Sequence, residues 1–169
     1  AFDRKSVETP TWQRIFPAPA DSGYLLLSGV DPKSEQSSVR LIRIADGKTM
    51  ARWVPDWSDI LAHTTRSPIW PDITLQNVRA IHPLLLPDGD ITFNTFGAMV
   101  RQGPCSGKPV WLLDEMFHHS NQRDSEGNIW TPSIGGGGYA DSLHLAEHIR
   151  DDSIAHVSPD GRLLDRRSF

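Results

Sequence analysis

Short apolar runs separated by turn residues dominate the chain. Val39-Arg40-Leu41-Ile42-Arg43-Ile44 runs into Ala45-Asp46-Gly47-Lys48, and a second run follows from Thr49 to Val54. The scheme recurs from Leu84 to Phe96 around Asp88-Gly89. It appears again from Asn121 to Pro132 around Glu126-Gly127, and from Ile154 to Phe169 around Asp160-Gly161. An apolar run, an Asp-Gly step and a second run predict a two-residue type I′ hairpin, because both central residues tolerate positive φ. Tyr24 to Val30 and Val110 to Leu113 add two further strands. Pro55 to Asn77 reads as a long loop with one helical turn from Trp57 to His63. Tyr139 to Asp151 reads as a short helix after the hinge Gly135 to Gly138, with Asp141 or Ser142 as N-cap. Residues 1–20 read as an irregular arm.

The spacing of the turn glycines suggests a repeat. Gly89 and Gly127 read as inner hairpins, with histidine upstream of each. Gly47 and Gly161 read as outer hairpins, each followed by a basic residue. The separations fall near the period of a propeller blade. The predicted fold is therefore all-β: a partial β-propeller of about three four-stranded antiparallel blades, over residues 21–57, 78–117 and 118–169, with one short helix near 140–150. A closed propeller needs at least four blades, so a longer protein is expected.

Composition narrows the function. The chain has 169 residues, enough for one domain with a core, and a net charge of −4. No run of Lys or Arg exceeds a pair, so nothing forms a field for nucleic acid. Cys105 is the single cysteine, which excludes an internal disulfide and a thiolate zinc cage.

Histidine carries the candidate chemistry. His118 and His119 enter the hairpin at Gly127, and His82 enters the one at Gly89. A neutral imidazole serves as nucleophile or base near pH 7. In a regular strand only one of His118 and His119 faces a central channel, and His119 is the better placed. His82 lies seven residues before Gly89 and His119 eight before Gly127. That offset puts His82 on the opposite face unless Pro83 introduces a bulge. Arg123 follows His119 by four residues and offers a planar fork for sulfate or phosphate. Arg79 precedes His82 and is a weaker candidate. The competing interpretation of all these residues is structural: histidines bonded to backbone, and an arginine paired with Asp124.

Other patterns carry less. His144-Leu145-Ala146-Glu147-His148 matches a short inverted zinc-protease pattern without an evident third ligand. Asp124 to Asn128 faintly resembles a calcium loop but lacks its length and terminal glutamate. Trp53, Phe93, Trp111 and Trp130 fit packing between sheets.

Three segments together resemble the arylsulfotransferase-like β-propeller family: His82-Pro83-Leu84-Leu85-Leu86-Pro87-Asp88-Gly89-Asp90, Val110-Trp111-Leu112-Leu113, and Phe117 through Trp130. The ending from Asp151 to Leu164 fits the same family's next blade, so the resemblance covers about residues 22–169. It implies a six-bladed propeller that moves a sulfuryl group from a phenolic sulfate to a phenol through a sulfated histidine, with no cofactor and no metal. His119 and His82 match the catalytic positions. Arg123 and His118 match positions that hold the sulfate oxygens. The resemblance further implies a small aryl sulfate or phenol as partner and an extracytoplasmic, periplasmic location with an N-terminal anchor outside this sequence. The remainder of the propeller or a second copy is expected to complete the fold, and the family's later histidines are expected in that remainder. The alternative is a propeller that binds without catalysing.

Overall fold

The computed structural model describes residues 23–31, 33–65, 72–134 and 152–168. Within them the fold is all-β, in three antiparallel sheets that follow one another along the chain. The first holds β1 (Tyr24–Val30), β2 (Ser37–Arg43) and β3 (Thr49–Trp53). The second holds β4 (Ile81–Leu85), β5 (Ile91–Thr95), β6 (Ala98–Gln102) and β7 (Pro109–Leu113). The third holds β8 (Gln122–Arg123), β9 (Ile129–Ile134), β10 (Asp152–Val157) and β11 (Leu163–Ser168). Each is a simple meander in which chain neighbours pair. The second and third sheets have the four strands expected. The first shows three among the described residues.

The turn glycines fall where the repeat puts them. Gly89 and Gly127 join the first two strands of their sheets, and Gly47 and Gly161 join the last two. The turn type differs from the expectation. Gly47, Gly89, Gly127 and Gly161 have positive φ, but none of the acidic residues before them does. At Gly89 the N–H donates to Leu86 O (3.1 Å) while Leu86 N–H donates to Asp90 O (2.8 Å). The same pair of bonds recurs at Asp124/Gly127/Asn128 and at Ser158/Gly161/Arg162. These are three-residue loops, a type I turn closed by a left-handed glycine. The preceding Asp or Glu stays at negative φ, where a side chain costs nothing.

The second sheet is the middle layer. Ile91 and Phe93 of β5 and Val100 of β6 pack against Val39 and Trp53 of the first sheet. Met99 points the other way, onto Phe117, Ile129, Ala155 and Val157. Period-two alternation therefore feeds two cores from one sheet, and all five residues of β5 are buried. The helical turn expected at Trp57 is present as α1 (Trp57–Ala62), with the Asp56 carboxylate accepting from Asp59 N–H (3.1 Å). Trp57 is fully buried, meets Phe93 edge-on and donates its indole N–H to Ser37 O (2.8 Å). Of the other aromatics, Trp53 and Phe93 fill the first core and Trp111 packs against the second. Trp130 lies flat on His156, with ring centroids 4.0 Å apart. The arm at 1–20, the glycine run and the helix expected near 140–150 lie outside the described residues.

Candidate functional site

Two bulges build the site. In the second sheet Ile81 faces Asn94 and Leu84 faces Thr92, so His82 and Pro83 together oppose the single residue Phe93. In the third, Phe117 bridges Ser133, His118 N–H donates to Pro132 O (3.0 Å), and pairing resumes only at Gln122 with Trp130. His119, Ser120 and Asn121 together oppose Thr131. The third sheet thus spends one more residue in its bulge than the second. That extra residue is the offset between the positions of His82 and His119 before their glycines. The bulge anticipated at Pro83 exists, and a matching larger one sits at His119.

Both histidines adopt a backbone conformation that side chains rarely take. His82 has φ 46° and His119 has φ 58°, and only Glu35 joins them among the described non-glycine residues. Such residues persist where surrounding structure holds them, and they concentrate at functional sites. The result is convergence. The His82 and His119 rings stand 6.4 Å apart, centroid to centroid, with planes inclined at 70°. The His118 ring lies 4.7 Å from His119, nearly perpendicular. His82 and His119 are exposed, and His118 is half-buried.

His118 and His119 line a cavity of about 400 Å³ whose apolar walls include Ile81, Phe96, Met116 and Phe117. Thr95 also lines it; this residue is buried and its hydroxyl has no hydrogen-bond partner. Burial holds the His118 imidazole below the ordinary histidine range, and the neighbouring His119 adds to the effect. Asp152 lies 3.6 Å from His118 Nε2 and pulls the other way. Burial wins because the Asp152 side chain is 69% exposed, where water screens its charge. His118 therefore carries a neutral ring at pH 7, suited to accept a proton.

Arg123 occupies different ground. β8 is only two residues long and follows the bulge, so the spacing of four does not carry a regular strand face. Arg123 lines a second cavity, of about 270 Å³, with Arg101, Trp111 and Pro159 near the hairpin turns. The histidine cavity does not include it. Arg79 donates to Gln76 O and Val78 O beside its own segment.

The calcium-like segment is a hairpin turn. Asp124 Oδ1 accepts from Glu126 and Asn128 N–H, and Oδ2 accepts from the Trp130 indole (3.2 Å) and contacts His156 Nε2 (3.2 Å). Burial alone would raise this carboxyl. The bonds from Asn128, His156 and Glu126 outweigh it and hold the group down at about 2. The zinc-like His144, Glu147 and His148 lie outside the described residues. Among the described residues no three His, Cys, Asp or Glu side chains gather as metal ligands.

The sequence reading missed Asn94, Asn121 and Thr95. Asn94 Nδ2 donates to His119 O and Asn121 Nδ2 to His82 O, each at 3.2 Å. Asn94 carried one usable signal, a polar amide within an otherwise β-rich run. Asn121 looked like ordinary loop composition.

No family model, curated protein or solved structure matches this chain. The functional reading therefore rests on the residues and their geometry.

Proposed function

We propose that the chain forms part of an arylsulfotransferase-like β-propeller and handles a sulfuryl group at His119 and His82. The observation that carries this reading is the approach of two exposed imidazoles from different sheets to 6.4 Å, each on a left-handed residue. Rings at that separation can both reach the oxygens of one tetrahedral oxyanion seated across the pair.

In the proposed reaction a ring nitrogen of His119 attacks the sulfur of an aryl sulfate ester. The N–S bond forms as the S–O bond to the aryl group breaks, and the phenolate departs and takes up a proton. The oxygen of an acceptor phenol then attacks sulfur, and the N–S bond breaks. The acceptor's proton passes to the neutral ring of His118, which lines the same cavity. His82 donates to the sulfuryl oxygens as their charge develops. The apolar walls around Phe96, Met116 and Phe117 suit an aromatic ring. As placed, Arg123 has no step in this chemistry.

The test is incubation with 4-nitrophenyl sulfate and a phenol. Acceptor-dependent nitrophenolate release is expected, together with a sulfuryl adduct on the peptide carrying His119. Both should vanish in His119→Ala and fall by about 10²-fold or more in His82→Ala. Binding of aryl sulfate with neither release nor adduct would leave a binding module instead.

A further inference from the structure

Each of the two left-handed histidines is held by an amide from the opposite sheet. Asn94 sits on β5 and reaches across to the third sheet, where its Nδ2 donates to the backbone oxygen of His119 (3.2 Å). Asn121 sits in the third sheet's bulge and reaches back, its Nδ2 donating to the backbone oxygen of His82 (3.2 Å). The bonds are reciprocal: each sheet supplies one histidine and the amide that fixes the other. Asn94 is 0% exposed and Asn121 is 9% exposed, so the donor end of each bond is buried. The Asn94 amide is itself oriented, because Nδ2 also donates to Thr131 Oγ1 (2.9 Å).

We propose that Asn94 and Asn121 are positioning residues that set the separation and orientation of the His82 and His119 rings. A left-handed conformation at a non-glycine residue is held only against a cost. An external donor on that residue's carbonyl favours the one peptide orientation that satisfies it. Both amides span the same sheet–sheet junction, so the backbone segments that carry the two rings cannot move apart without breaking these bonds. This inference extends the sulfuryl-transfer reading, but the clamp is a property of the two rings and can be measured without turnover.

The experiment uses the whole chain with Asn121→Ala, and Thr131→Val as a gentler second variant. Ring proton and carbon signals of the histidines are followed by NMR at fixed pH, with circular dichroism to confirm folding. In folded Asn121→Ala the His82 ring signals should move most and those of His119 with them, while the His63 signals stay in place. Thr131→Val should move His119 more than His82. In the transfer assay Asn121→Ala should lower kcat by about tenfold or more with little change in KM, since misplacement of reacting groups acts on the chemical step. Should Asn121→Ala fail to fold, Thr131→Val decides alone. Folded variants with unmoved His82 and His119 signals would overturn the clamp even if the wild type transfers sulfate. Moved signals in a protein that never forms the histidine adduct would keep the clamp and remove the transfer reading.

Discussion

Gly161 lies against the indole face of Trp111: a β-carbon added there would stand 2.6 Å from Trp111 Cδ2. Trp111 cannot withdraw easily, because its Nε1 donates to Pro159 O (3.0 Å), and Arg101 donates to the same oxygen. Arg101 also pairs with Asp88 and Asp90 at the neighbouring hairpin. The outer turn of the third sheet is thus seated on the second sheet through a glycine.

That contact separates two glycines of identical turn type. Gly89 has φ 90° and open space around its missing side chain, whereas Gly161 has φ 81° and the indole. Gly89→Ala should cost only the left-handed strain, about 1 kcal/mol. Gly161→Ala should cost that plus displacement of a packed ring, about 2–4 kcal/mol in all. Urea midpoints of the two variants measure the difference, and equal losses would show that the turn sits free of Trp111.

The left-handed histidines should reveal themselves by how they tolerate replacement. At φ 46° and 58° glycine is at ease and alanine is not. His82→Gly and His119→Gly should each be more stable than the corresponding alanine variant by about 1 kcal/mol. Thermal melts of the four variants provide the comparison. An alanine variant matching its glycine partner would place that residue outside the left-handed region in solution.

Acid should loosen the third sheet through Asp124. Its folded carboxyl titrates at about 2, below the ordinary aspartate value near 3.9. A depressed carboxylate contributes stability that is fully present above the unfolded value and is lost as pH falls through the folded one. The window is therefore about pH 4 down to 2. Between those values the wild-type melting temperature should fall more steeply than that of Asp124→Asn. Parallel curves would assign the acid sensitivity to other carboxylates, such as Asp46 in its pair with Arg43.

His118 predicts a second and milder pH effect. Its folded value lies below the ordinary histidine value near 6.5. Protonation thus favours the unfolded chain, and the stability of the neutral ring, complete above about 6.5, declines as pH falls below it. An NMR titration should place the His118 midpoint below 6.5, and His118→Phe should flatten the fall in stability as pH drops below 6.5. A midpoint above 6.5 would mean that Asp152, not burial, governs this ring.

Local sequence determined the hairpins. A left-handed glycine after a turn-forming residue is a property of three or four neighbouring residues, so Gly47, Gly89, Gly127 and Gly161 could be placed by inspection. The one-turn helix at Trp57 and the all-β class followed from equally local patterns. Even there the turn class was misjudged, because an Asp-Gly pair fits both the two-residue and the three-residue loop, and only the hydrogen-bond ladder chooses between them.

Tertiary structure decided the site. The meeting of His82 with His119 needed two sheets packed through Met99, Phe117 and Ile129, and two bulges of unequal length to cancel a one-residue offset in register. Arg123, four residues beyond His119, was carried to another cavity because the intervening backbone is a bulge and not a strand. Asn94 and Asn121 acquired meaning only through carbonyls in the opposite sheet. Turns are written in short-range backbone preferences, which neighbours along the chain fix. A convergent site depends on distances between segments far apart in sequence, which only the packed cores between the sheets set.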